Sequence, residues 1–186
     1  MILNNKVSAG QVDQGLIDSI LGVLGFGFYA HSSGTQVIST LATKMEINGL
    51  GSTSTSAYLP LEIRGISELW DSQNNKITPI GIGDGYTVRI DFDITAKSGA
   101  PTELLLSLDI GGGSAPVINI VEKTIGTSKA PPYSISIGFP FFSLSTFKAN
   151  GGQLFLATDT VTATITKRQI SIHRISDGQF VAPPVV

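Results

Sequence analysis

Between Gly85 and Gly113 the chain reads GYTVRIDFDITAKSGAPTELLLSLDIGGG, and this stretch constrains the fold more than any other. Tyr86, Val88, Ile90, Phe92 and Ile94 alternate with Thr87, Arg89, Asp91, Asp93 and Thr95. Side chains of a strand point to opposite faces with period two, so one face here is apolar and the other wet and charged. After the break at 97–101, Leu104, Leu106, Leu108 and Ile110 repeat the alternation until Gly111-Gly112-Gly113 ends it. The pattern predicts a hairpin: two half-buried strands joined by a Ser-Gly-Ala-Pro turn, with one wall against a core.

The same register runs through most of the chain. Phe26 and Phe28 alternate with glycines, residues 37–45 form a β-length run, and Asp71-Ser72-Gln73-Asn74-Asn75 reads as the loop of a second hairpin. Tyr133, Ile135 and Ile137 alternate with serines, Gly138-Phe-Pro-Phe-Phe forms an aromatic corner, and Asn150-Gly151-Gly152 is a tight turn. In the last run Val161, Ala163 and Ile165 are odd-numbered whereas Ile170 and Ile172 are even, so a β-bulge or bend is expected near Lys167-Arg168. Short strands with turns every 8–12 residues or so predict an all-β antiparallel sandwich or jelly roll. Residues 1–25 are expected to be an arm with a short helix over 13–24, carried by Leu16, Ile17, Ile20, Leu21 and Leu24. Residues 26–178 are then the sandwich domain, and 179–186 an extended, apolar, proline-rich tail.

At 186 residues, a single domain buries about 70% of its unfolded surface without staples. That matters because the chain has no cysteine for disulfides or thiolate metal sites. Twelve Lys and Arg against 14 Asp and Glu give a net charge of −2, with no basic run. Nucleic-acid and polybasic membrane surfaces need clustered positive charge, so neither partner is expected. The N-terminus lacks the apolar core of a secretory signal, and Gly22, Gly25 and Gly27 interrupt the one apolar stretch, so a soluble protein is expected.

Chemistry-bearing constellations are sparse. Two histidines, His31 and His173, are too few for the usual metal or triad arrangements. Asp91 and Asp93 share the wet face of one strand and Asp109 ends the next, which would suit calcium or an acid/base pair. Alternation produces such pairs by chance, and Arg89 on the same face can simply pair with them. Gly81-x-Gly83-x-Gly85 feeds a strand rather than a helix N-terminus, so it is a turn and not a phosphate loop. No serine sits in a Gly-x-Ser-x-Gly elbow. No enzymatic activity, cofactor or metal is expected.

FYAHSSGTQVIST, ELWDSQNNKITPI, GDGYTVRIDFDITA with LLLSLDIGGG, and FKANGG followed by QLFLATDTVTATITKRQISIHRI together resemble the small jelly-roll domains of tailed-bacteriophage virions. These occur as capsid decoration or cement proteins and as head-fibre or tail-fibre tips, and are similar in architecture to the trimeric tumour-necrosis-factor-like jelly roll. The resemblance implies a homotrimer on the capsid surface, bound to the major capsid protein or another virion protein. The alternative it leaves open is a head-fibre or tail-fibre knob that binds host-surface glycans; a glycan depolymerase is the third reading. The resemblance brings no catalytic motif. The residues expected at subunit or capsid contacts are the apolar ends, Met1, Ile2, Leu3, Phe180 and Val181, and Ile17, Ile20 and Leu21 of the helix. Phe141, Phe142, Ile170, Ile172 and His173 complete the set.

Overall fold

A computed structural model describes residues 26–31, 33–48, 55–58, 68–96, 102–111, 118–125, 131–159 and 162–176. In these, the elements are β1 (Phe26–His31), β2 (Gln36–Ile38), β3 (Thr43–Lys44), β4 (Thr55–Tyr58), β5 (Trp70–Asp71) and β6 (Lys76–Ile77). They continue as β7 (Gly85–Thr95), β8 (Thr102–Asp109), β9 (Ile118–Ile125), β10 (Tyr133–Phe142), helix α1 (Ser145–Asn150), β11 (Gly152–Thr158) and β12 (Ala163–Ser176). One sheet has the order β10-β7-β12-β1-β4, with β2 also on β12; the other has the order β5-β6-β11-β8-β9, with β3 also on β11. Every pairing is antiparallel. The expected jelly-roll sandwich is therefore the fold. The arm and helix expected over 1–25 and the tail over 179–186 lie outside the described residues.

The period-two reading identifies the core-facing residues of β7 and β8, although Asp93, Ser107 and Asp109 on the opposite faces are buried as well. Tyr86, Val88, Ile90, Phe92 and Ile94 are buried, and so are Leu104, Leu106 and Leu108. The hairpin expectation does not hold. β7 lies between β10 and β12, whereas β8 lies between β11 and β9 in the opposite sheet. The chain changes sheets between Thr95 and Thr102, and the two apolar faces meet across one core. Alternation assigns each strand a buried face but is silent on whether two such strands lie side by side or face to face. The run at 37–45 divides in the same way: β2 joins the first sheet and β3 the second. Gln36 spans the change of sheet, donating from Nε2 to the Lys44 carbonyl (2.6 Å) and accepting from the Glu46 amide at Oε1 (3.1 Å).

The β-bulge is where the parity predicts it. Thr166 pairs with Asp93 and Gln169 with Asp91, so two residues of β12, Lys167 and Arg168, oppose one step of β7. Lys167 takes φ 49°, in the left-handed region that side-chain-bearing residues seldom enter. The bulge lets Ala163, Ile165, Ile170 and Ile172 all point into the core despite their mixed parity. It also turns Arg168 inward, where Nε reaches the Glu46 carbonyl at 2.7 Å.

Helix α1 is absent from the sequence reading, which treats this stretch as the approach to a turn. It is six residues long, its N-cap Leu144 makes no side-chain cap, and its first turn carries no acidic residue. Such a helix forms because Phe147 is buried against Phe141, with ring centroids 4.8 Å apart. Gly151 (φ 77°, ψ −174°) stops it in a conformation essentially confined to glycine.

Two buried polar groups of contacts fasten the sandwich. Arg174 and Asp84 form a sealed two-pronged ion pair, Nε–Oδ2 2.9 Å and Nη2–Oδ1 3.0 Å. The Tyr86 hydroxyl donates to Asp84 Oδ2 (3.1 Å) and accepts from the Ile80 amide (2.7 Å). Burial, above all, pushes the Tyr86 phenol well above its ordinary range, so it stays a donor. On the other side, Trp70 Nε1 donates to the Ile47 carbonyl (2.8 Å), and the Ile47 amide donates to Asn75 Oδ1 (2.6 Å).

Candidate functional site

The surface that distinguishes this sandwich is the outer face of the β10-β7-β12-β1 sheet. Its cross-strand rows follow from register. At one end Phe142 opposes Gly85, which opposes Ser176; the next row is Pro140, Thr87, His173 and Phe26. Then come Gly138, Arg89, Ser171 and Phe28, followed by Ser136, Asp91, Gln169 and Ala30, and last Ser134, Asp93 and Thr166. From Gly85 to Asp93 the wall runs roughly 26 Å at the rise of an antiparallel strand.

The Gly85 end is apolar. Phe142 and Leu144 are each 66% exposed, Ile175 is 51% and Ile82 is 49%. A Cβ built on Gly85 would meet the Ser176 hydroxyl first and would stand 3.3 Å from the Phe142 ring and 3.4 Å from Ile175. The Gly83 amide donates to the Ser143 carbonyl (2.6 Å) and the Ser143 amide to that of Asp84 (2.9 Å), which brings the segments carrying Ile82 and Leu144 together. The His173 and Phe26 rings meet at 4.4 Å in the adjoining row.

The opposite end is polar and forms a shallow depression of about 350 Å³. Arg89 donates to Asp91 Oδ1 from Nε (3.0 Å) and Nη2 (2.9 Å), and Gln169 Nε2 donates to Asp91 Oδ2 (3.2 Å). Lys167 Nζ lies 2.8 Å from Asp93 Oδ2, and the Ser134 hydroxyl donates to Asp93 Oδ1 at 2.6 Å. Both carboxyls are held below their ordinary range. For Asp91 partial burial opposes ionisation, but hydrogen bonds from Ser136, Arg89 and Gln169 and the Arg89 charge outweigh it. For Asp93 the Lys167 contact leads, followed by Ser134. Both acids are therefore ionised acceptors at neutral pH, and neither has a proton to donate there.

A depressed carboxyl binds fewer protons in the native than in the unfolded state, so its stabilisation is present above the ordinary value of 3.8 and lost as pH falls below it. Thermal unfolding followed from pH 5 to pH 2 or so should show this loss, and the Asp91→Asn/Asp93→Asn variant should have a flatter acid limb. Identical limbs would show that these pairs are already screened by solvent.

The structure separates the sequence-predicted candidates. Arg89, Asp91 and Asp93 do share one face. Asp109 does not join them; it is buried in the opposite sheet, with Oδ1 accepting from the Gly111 amide at 2.8 Å. His31 is buried at the far end of β1 from His173. Among the predicted contact residues, Phe142 and His173 lie on the outer wall. Ile170 and Ile172 are fully buried core residues, and Phe141 packs inward, stacked on Tyr86 at 5.0 Å. Ile170 and Ile172 therefore offer no surface to a partner, and Phe141 is partly buried, because β10 and β12 point those positions at the core. Met1, Ile2, Leu3, Ile17, Ile20, Leu21, Phe180 and Val181 lie outside the described residues. Sequence reasoning missed Ile82, Leu144 and Ile175 at the apolar end and Ser134, Ser136, Lys167 and Gln169 in the depression. Parity alone places Ser134 and Ser136 on a wet face, but only strand order brings them beside Asp91 and Asp93.

Among the described residues no group of three or more His, Asp or Glu could hold a metal ion, and no helix is long and apolar enough to cross a membrane. No protein-family model matches the chain, and no curated protein matches it. Solved structures do. The chain is similar to the Eiger TNF of S. frugiperda, with a TM-score of 0.51 and 11% identity over 88% of this chain and 98% of that one. A xylanase 10B fragment of Clostridium thermocellum, solved with xylohexaose, matches at a TM-score of 0.37 and 14% identity, over 88% of this chain and 29% of that one. The Broad Bean Stain Virus structure matches at 0.26 and 12% identity, over 88% of this chain and 92% of that one. The last two scores add nothing to the assignment. At 11% identity the first shows the fold alone: a tumour-necrosis-factor-like jelly roll.

Proposed function

We propose that this chain is a virion structural protein, a decoration or cement protein that sits as a homotrimer on the outside of a bacteriophage head. The observation that carries the reading is the apolar end of the wall, where exposed Phe142 and Ile175 flank Gly85 and the adjoining hydrogen-bonded segments expose Ile82 and Leu144. Covering such surface gains about 25 cal/mol per Å² of apolar area, so a clustered patch favours association where scattered apolar residues do not. Copies of the chain meet there, and residues 1–24 and 179–186 reach the capsid protein beneath. The jelly-roll fold and the resemblance to phage virion modules support this assembly role.

Light scattering on the intact chain should give three times its 19.5 kDa mass, and Phe142→Asp with Ile175→Asp should reduce it to the monomer. Removing residues 1–24 should abolish binding to heads that lack the protein while leaving the trimer intact. Unimpaired binding by the shortened chain, or a monomeric wild type, would sink the proposal.

A further inference from the structure

His173 stands in the wall row next to the apolar end, and Ile175, two residues on in β12, belongs to that end. Both are exposed, on either side of Arg174, which turns inward to Asp84. At the rise of a strand their Cα atoms are about 7 Å apart, so a surface that covers Phe142 and Ile175 reaches His173 as well. We infer that acid regulates this contact: copies associate while His173 is uncharged and separate when it takes up a proton. The inference rests on the reading that copies of the chain meet at the apolar end.

The groups around His173 decide the direction of the effect. In its own row β7 contributes Thr87, β10 contributes Pro140 and β1 contributes Phe26, with Tyr58 of β4 opposite Phe26 in register. None of these is a carboxylate or a cation. The next row holds the Arg89 guanidinium, beside Gly138, Ser171 and Phe28. Asp91 is a row farther on and is engaged by Arg89 and Gln169. Asp84 is fully buried and held by Arg174. Among the described residues of these strands, a proton on His173 therefore finds no carboxylate that is not already engaged.

Imidazole is the side chain whose charge ordinarily changes between pH 5 and 8. In a separate protomer, water solvates a charged His173, and the Phe26 ring, its centroid 4.4 Å away, attracts it. The Phe26 contact persists in the assembly and so cancels between the two states. The water does not persist. Covering the apolar end strips it from His173 and supplies no counter-charge from this wall, and a bare charge is far costlier to bury than an uncharged ring. Each copy brings its own His173, so the charges also repel one another. The assembly thus binds protons less well than the free protomer, and association weakens as pH falls, by at most about tenfold per pH unit for each protomer. The Asp91 and Asp93 carboxyls titrate below 3.8, outside this window.

The test is sedimentation of the full chain across a concentration series from about pH 8 to pH 5 at constant salt, with near-ultraviolet circular dichroism as the check on folding. The wild type should be assembled at the alkaline end and pass to folded monomers toward the acid end. His173→Gln, which cannot take the charge, should stay assembled throughout; His173→Lys, which carries it throughout, should be monomeric even at the alkaline end. Both positions of the switch are thus read on an exposed residue whose replacement leaves the core intact. A wild type that stays assembled at pH 5 or so, a His173→Gln variant that dissociates with it, or an assembled His173→Lys would each overturn the inference and leave the assembly role standing. A wild type already monomeric at the alkaline end would overturn both.

Discussion

Alanine at Arg174 is expected to destabilise the fold by about 3–5 kcal/mol, the range for breaking a buried ion pair from one side. Both partners are sealed, with side-chain exposures of 1% and 0%. Truncation takes the two-pronged guanidinium away from the Asp84 carboxylate, in a place water does not reach. For a chain of this size the loss corresponds to a fall in unfolding temperature of roughly 6–20 °C. Lysine should rescue little, since a point charge cannot reproduce the two-pronged geometry. Removing both charges, as in Asp84→Leu/Arg174→Met, should cost less than the two single changes added together, because no buried charge is then left alone. Denaturant unfolding of the four proteins measures the coupling. Additive losses would show that the pair contributes nothing as a pair. The position explains the size of the effect: the pair ties the start of β7 to the end of β12, next to the exposed apolar end of the wall, so its loss loosens that end as well.

The second large effect is at Trp70. Alanine there should cost about 3–5 kcal/mol from lost burial and the cavity left behind. Phenylalanine separates two contributions. It keeps much of the packing but removes the Nε1–H donor, leaving the buried Ile47 carbonyl without it, which adds about 1–3 kcal/mol. The segment around Ile47 belongs to no strand, and its amide and carbonyl are both held by the β5–β6 hairpin, through Asn75 and Trp70. Hydrogen exchange at Ile47 should therefore quicken in Trp70→Phe before global stability falls far. Unchanged protection at Ile47 would show that packing alone positions this segment.

The sequence reading and the structure agree where the physics is local. The core-facing residues of β7, the break of parity at Lys167-Arg168, and the opposite facing of Ile172 and His173 follow from a period of two and need no partner strand. Helix α1 escaped because nothing local favours it; the contact of Phe147 with Phe141 does. Ile170, Ile172 and Phe141 were expected at contacts because apolar residues on a strand can face either a core or a partner, and composition does not distinguish the two.

The site shows the same division. Arg89, Asp91 and Asp93 belong to one strand, so their shared face is written in the alternation itself. Ser134, Ser136, Lys167 and Gln169 come from strands some forty to eighty residues away in the chain, a span consistent with the separations of 41 and 78 for Ser134–Asp93 and Gln169–Asp91. The sequence by itself determined which face of each long strand is wet. Only the tertiary structure decided that β10 and β12 flank β7 while β8 crosses to the other sheet, because strand order is settled by long-range packing of one core, to which a local period is blind.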